Sequence, residues 1–193
     1  MRPELCVEVP AAPAYQVRWA EAGWEIEQAY ALRRAVFCAE QGIFAEDDRD
    51  AVDDAAQLLV AVRCDEAAGG PPGARGPVVG TVRIHESEPG VWYGSRLAVQ
   101  APYRRHSRLG ATLIRLAVSS AHALGCRRFL AHVQSQNVPL FRRLHWTTLA
   151  EETLLGWPHH LMEADLHHYP PCHAPYAGFV IDDGSAQHDR RPS

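Results

Sequence analysis

Arg96-Leu97-Ala98-Val99, then Pro102-Tyr103-Arg104-Arg105-His106-Ser107-Arg108, then Leu109 through Leu124: this stretch decides the fold. It reads as a short apolar strand, a basic turn and an amphipathic helix. Backbone N–H groups in the first turn of a helix have no intrahelical partner, and the helix dipole is positive at that end. Arg104, Arg105, His106 and Arg108 crowd the same point, with Ser107 among them. Strand, cationic turn and helix N-terminus together suit a phosphate, so a small anionic ligand is the expected guest. The alternative is a basic surface cluster that binds nothing.

The flanking segments extend the pattern. Gly125 caps the helix, Phe129 to Ser135 reads as a strand, and the intervening helix makes it parallel to the strand that enters the turn. Asn137 opens a short helix, Val138 to Leu144, and Trp146–Leu154 and His159–Leu166 close the chain as strands. Upstream, Tyr15–Trp19 is a first strand, a helix begins at Glu21, and Gln57–Cys64, Pro77–His85 and Trp92–Val99 are strands joined by turns, an antiparallel meander. The class is α/β (α+β), with a mixed central sheet of about six to seven strands, mostly antiparallel with one parallel pair, flanked by helices. Residues 1–14, rich in Pro and Ala, are expected to be flexible, 15–168 to form one domain, and 169–193, rich in Pro, His, Asp and Ser, to be an extended or disordered tail.

Bulk properties narrow the function. With 193 residues, 47% hydrophobic and 22% charged, the chain can bury a core without staples. A net charge of −4 argues against broad nucleic-acid or membrane-surface binding and makes the basic turn a local feature. Five cysteines without a C-x-x-C pair form neither a disulfide framework nor a zinc finger. The N-terminus lacks a signal-peptide pattern and no run approaches the roughly 18 apolar residues of a membrane span, so the cytoplasm is the expected compartment. His159, His160, His167, His168, Cys172 and His173 are the one metal-like grouping, but neighbours on a strand point to opposite faces, and no metal is expected.

The first helix carries charge where an apolar stripe should continue. Ile26, Ala29, Tyr30, Val36 and Phe37 share one face at helical spacing, and Arg33 and Glu40 fall on it too. Inward charges line a cavity or pair with each other; otherwise they reach the edge of the stripe, or the helix stops before Gln41-Gly42. The acidic run that follows, Glu46-Asp47-Asp48-Arg49-Asp50 with Asp53-Asp54, reads either as a solvated loop or as an anionic rim that attracts a cationic amine.

With those residues in view, the order of elements over 15–168 resembles the GNAT superfamily of acetyl-CoA-dependent N-acetyltransferases. Leu97-Ala98-Val99, Tyr103-Arg104-Arg105 and Leu109-Gly110-Ala111 resemble its cofactor motif, R/Q-x-x-G-x-G/A. Leu32-Arg33-Arg34-Ala35-Val36-Phe37 with Glu40-Gln41 is similar to a GNAT subgroup whose first helix reads L-R-x-x-V-F-x-x-E-Q, and acyl-homoserine lactone synthases have a related Arg-Phe pattern followed by acidic residues. Together with Gln134 to Trp146 and Gly156-Trp157-Pro158-His159, the chain resembles the nitrogen-starvation N-acetyltransferase family. The resemblance implies acetyl-CoA as cosubstrate, held by Leu97, Ala98, Val99, Arg104 to Ala111 and Asn137. It also implies a parallel strand pair that splays apart to admit the thioester.

It further implies direct attack of a primary amine, of a small molecule before a peptide, on the thioester. Glu40, then Glu86 and His132, are the candidate bases, though Glu40 could equally be the inert partner of Arg33 and His132 a packed strand histidine. Arg33, Phe37 and Asp48 are candidates for the acceptor site. Three departures bear on this: Arg108 stands where the family has glycine, Phe141 where many members have the tyrosine that protonates the thiolate, and His145-Trp146 where they have Gly-Phe. Tyr93, Tyr103 and Cys38 are the remaining candidate acids. A non-catalytic acyl-CoA-binding or interaction module is the second reading and an acyl-homoserine-lactone-like synthase the third; a homodimer, or a partner docked through the tail, is the expected assembly.

Overall fold

The computed structural model describes residues 14–64, 75–104 and 108–182. Apart from Ala14, which opens the first strand, the expected flexible segment 1–14 lies outside the described residues, as do Arg105, His106 and Ser107 of the basic turn. Eight strands form one sheet: β1 (Ala14–Trp19), β2 (Gln57–Cys64), β3 (Arg75–Glu88), β4 (Val91–Val99), β5 (Arg128–Gln134), β6 (Trp146–Leu154), β7 (Trp157–Ala164) and β8 (Phe179–Asp182). Their order is β6-β7-β5-β4-β3-β2-β1-β8, and among the described residues only β4 and β5 run parallel. The helices are α1 (Gly23–Arg34), α2 (Leu109–Ala123) and the short α3 (Val138–Arg143).

Each face of the sheet is covered by one apolar layer. Alternation along β5 sends Phe129, Ala131 and Val133 toward α2, where they pack with Leu113, Ile114, Ala117 and Trp146. On the other face Ala29, Leu32, Val36 and Phe37 pack on Leu58, Val60, Val62, Val78 and Ala98. The start of α1 is fixed by Glu25, fully buried, whose carboxylate accepts from the backbone N–H groups of Glu21 (2.9 Å) and Ala22 (3.1 Å) and pairs with Arg18. This is the acidic half of a capping box.

Two expectations are corrected. The last turn of the first helix does not continue the 3.6-residue spiral: Ala35–Glu40 is a π-helix, with Gln41 donating to the Val36 carbonyl at 2.9 Å. The wider turn changes the phase of everything after Arg34, so Arg33 points inward and Glu40 does not. The residues from 169 are not a loose tail as far as 182. Tyr169 is 2% exposed, its hydroxyl donates to the Leu144 carbonyl and accepts from Trp146 Nε1 at 2.9 Å, and β8 pairs antiparallel with β1. The sheet therefore has eight strands, one more than the sequence pattern disclosed.

Candidate functional site

The β4–β5 ladder is short. It runs from Val91↔Arg128 to Gly94↔Ala131 and stops, and beyond Gly94 the β5 side of β4 has no ladder partner among the described residues. The cause lies in β4 itself. Thr81 faces Ala98 and Arg83 faces Ser95, so one residue of β3 is opposed by two of β4, Arg96 and Leu97. Such a bulge bends and twists its strand, and Arg96 takes up the strain with a φ of 56°. Gly94, the last paired residue, has no room for a side chain: a Cβ would meet the Phe129 ring at 3.0 Å.

A cavity of about 450 Å³ opens at this splay and touches both faces of the sheet. On the α2 face its wall is apolar, with Ile114, Ala117, Phe129, Val133, Phe141 and Trp146, and Asn137 at the rim. On the α1 face it is polar, with Arg83, His85, Tyr93, Ser95, Arg96 and His132, roofed by Phe37, Ile43 and Phe44. A cavity that reaches both faces of one sheet passes through it, and the bulged β4 gives that passage a wall of main chain. A slender acyl thioester fits such a passage, with its reactive carbon presented to a polar chamber.

Three rings line that chamber side by side. His85, Tyr93 and His132 sit on the neighbouring strands β3, β4 and β5, and both pairs stack at 5.9 Å between centroids. His132 Nδ1 is hydrogen-bonded to Glu152 of β6. His85 Nδ1 is buried without a partner among the described residues, and burial, with the charge of Arg83, holds its imidazole below its ordinary pKa.

Beneath the chamber lies an ion network, buried at Arg33, Arg83 and Asp48 and open to solvent at Asp50. Arg33, fully enclosed, donates to Asp48 (2.8 Å) and to Asp53 (2.6 Å). Arg83 bridges Asp50 (2.5 Å) and Asp53 (2.9 Å), and Arg96 bridges Asp48 (2.9 Å) and Asp50 (3.1 Å). Three arginines and three aspartates balance. Burial opposes ionisation of Asp53, but the hydrogen bonds from Arg33 and from the Asp50 backbone outweigh it and hold the carboxyl well below the usual range. Three members of the acidic run, Asp48, Asp50 and Asp53, are thus the counter-charge that lets two arginines stand in the cavity wall, while Glu46, Asp47 and Asp54 are exposed, as the solvated-loop reading has them.

Of the residues singled out from sequence, the cavity gathers Phe37, Tyr93, Leu97, His132 and Asn137, with Phe141, Trp146 and His159 also in its wall. Arg33 and Asp48 support it from behind without lining it. Glu40 is not in it. It forms an exposed ion pair with Arg104 (2.5 Å), whose hydrogen bond holds the carboxyl below its ordinary pKa, and Arg104 also donates to the Val99 carbonyl at 2.7 Å. That contact occupies both the expected base and one expected phosphate ligand. Glu86 accepts from the Gly90 backbone N–H at 2.7 Å and holds the β3–β4 turn. Leu109 and Ala98 are core residues, Val99 packs against the core, Arg108 is the exposed N-cap of α2, and Gly110 and Ala111 follow it in the first turn. Tyr103 accepts from Arg63 at 2.9 Å, and Cys38 does not line the cavity. His85, Arg83, Arg96 and Glu152 were not found from sequence. Alternation along β3 does put Arg83 and His85 on one face, the one signal that pointed to them.

A mixed sheet broken at its single parallel pair, with a basic turn leading into the helix that follows, defines a CoA-thioester transferase fold. Residues 24–146 match the Acetyltransferase (GNAT) family, and the chain belongs to it. Among solved structures it is similar to a putative N-acetyltransferase from Lactobacillus plantarum (22% identity, 78% of this chain and 97% of that one, TM-score 0.66). It is also similar to Escherichia coli ElaA (17%, 78% and 98%, TM-score 0.62) and to yncA, a putative acetyltransferase from Salmonella typhimurium in complex with acetyl-CoA (17%, 79% and 94%, TM-score 0.55). At these identities the likeness is one of fold. No curated protein matches the chain. Among the described residues no helix is long and apolar enough to cross a membrane, and no three metal-ligating side chains converge.

Proposed function

We propose that this chain moves an acetyl group from acetyl-CoA directly to the primary amine of a small molecule in the cytoplasm, as a member of the nitrogen-starvation N-acetyltransferase group. The observation that carries the reading is the cavity through the sheet, apolar on the α2 side and polar on the α1 side. The thioester arm enters from the α2 side past Asn137, and the bulged β4 presents main chain to the carbonyl. The acceptor enters from the α1 side under Phe37 and Phe44, where the balanced arginines tolerate a polar ligand. Holding both reactants in one passage turns a bimolecular step into an intramolecular one.

The second reading, an acyl-CoA-binding module without turnover, is favoured by Phe141. Its ring packs edge-on against Trp146 at 5.0 Å and has no proton to give to a leaving thiolate. Thiol release from acetyl-CoA, followed against a panel of primary amines with calorimetric titration of acetyl-CoA alongside, separates the two. Amine-dependent release supports transfer. Tight binding with no release on any amine supports the module, and absence of binding rejects both.

A further inference from the structure

We propose that His132 is the general base of the transfer and that Glu152 is the residue that positions it, an assignment that rests on the acyl-transfer reading above. His132 follows Ala131, the last rung of the β4–β5 ladder, so its ring stands at the edge of the passage and lines the cavity. A carboxylate can only accept. The contact with Glu152 therefore places the imidazole proton on Nδ1 and leaves the Nε2 lone pair to the cavity. Stacking on Tyr93, with the ring planes 12° apart, fixes the plane of the ring. A base held from one side by a carboxylate and from a second by an aromatic face has its orientation set before substrate arrives.

The competing groups fail on geometry. Glu40 and Glu86 are engaged elsewhere, Arg83 and Arg96 cannot accept a proton, and His85, stacked on the other side of Tyr93, stands on β3, one strand further from the β4–β5 passage than His132. His159 is the remaining rival, since it lines the cavity and its Nδ1 donates to the Trp157 carbonyl at 2.9 Å. It lies on β7 opposite Gln134, further along the strand from the last ladder rung than His132. In the step itself the amine nitrogen bonds to the acyl carbon, its proton passes to His132 Nε2, and the C–S bond breaks with the electron pair on sulfur. A thiol has an ordinary pKa near 8.5, so the thiolate leaves and takes up a proton from solvent while the imidazolium returns its own, which removes the need for a tyrosine at position 141.

The test uses the full chain, acetyl-CoA, and 2-phenylethylamine, spermidine and glycine ethyl ester as acceptors, with thiol release as the readout. If the wild type releases thiol with none of them, the transfer reading falls and the base assignment falls with it. Given turnover, His132→Asn keeps a donor near Nδ1 and lacks Nε2. It should lower kcat about 10²–10⁴-fold, with acetyl-CoA affinity and circular dichroism unchanged. His132→Gln is the second variant should the first misfold, and added imidazole should restore part of the rate of His132→Ala. Glu152→Gln should lower kcat about tenfold or more with both KM values and the melting temperature unchanged. Wild-type kcat in a folded His132→Asn, or a loss that follows His159→Gln instead, overturns the assignment.

Discussion

Arg33 shows how one side chain can be inward-facing, charged and still not a ligand. Its guanidinium is fully enclosed and spends its donors on Asp48 and Asp53, so the group behind the cavity wall is a structural tie. Removing one partner of a buried pair leaves the other uncompensated, and Arg33→Met should destabilise the fold by about 3–5 kcal/mol, read from urea unfolding. The same carboxylates set an acid limit. Asp53, Asp50 and Glu25 are held below their ordinary values against the opposing pull of burial, chiefly by hydrogen bonds from arginine or backbone N–H groups. Stability from a depressed carboxylate is complete above its unfolded pKa of about 4 and is lost as pH falls through the folded value. Melting temperature should therefore drop steeply below about pH 4, and less steeply in Arg33→Met. Spacing alone placed Arg33 inward but put Glu40 on the same face, because nothing in Ala35-Val36-Phe37-Cys38-Ala39-Glu40 announces a π turn.

At the scale of elements, β8 is the piece that composition concealed. Four residues, Phe179-Val180-Ile181-Asp182, sit among Pro, His, Asp and Ser, too short a run to outweigh its surroundings. They dock because Gly178 adopts a φ of 59° and lies so close to β1 that a Cβ on it would come within 2.0 Å of the Val17 carbonyl oxygen. Gly178→Ala should lift β8 from β1, seen as faster amide exchange at Tyr15 and Val17 and a loss of more than about 1 kcal/mol. Tyr169 anchors the same segment. Tyr169→Phe strands Trp146 Nε1 and the Leu144 carbonyl in the core and should cost about 1–3 kcal/mol. The parallel β4–β5 pair was legible because a helix must separate parallel neighbours. The bulge at Arg96-Leu97 was not, since it is a matter of register between strands and leaves no pattern along one of them.

At the scale of the whole molecule, the basic turn and the cavity make one prediction together. Acetyl-CoA at a hundred times its Kd should stabilise the protein by about 2.7 kcal/mol, measured as a rise in melting temperature. Arg105→Ala with Arg108→Ala should reduce that rise by weakening binding on the order of 10- to 100-fold, without altering the ligand-free melting temperature. The sequence placed this region correctly as the centre of the fold. It did not disclose which side chains share the chamber, because Arg83 and His85, His132, and Glu152 come from three strands brought together only by the sheet order.

That order has a mechanical consequence. Strands β6, β7 and β5 form one plate and β4, β3, β2, β1 and β8 another, and the two are riveted by four residue pairs, Val91 to Gly94 against Arg128 to Ala131. Past the rivets no ladder joins the plates among the described residues, and side chains span the gap, Gln134 donating to Gln41 at 3.1 Å. The width of the gap is then set less by the backbone of the sheet than by what is packed into it.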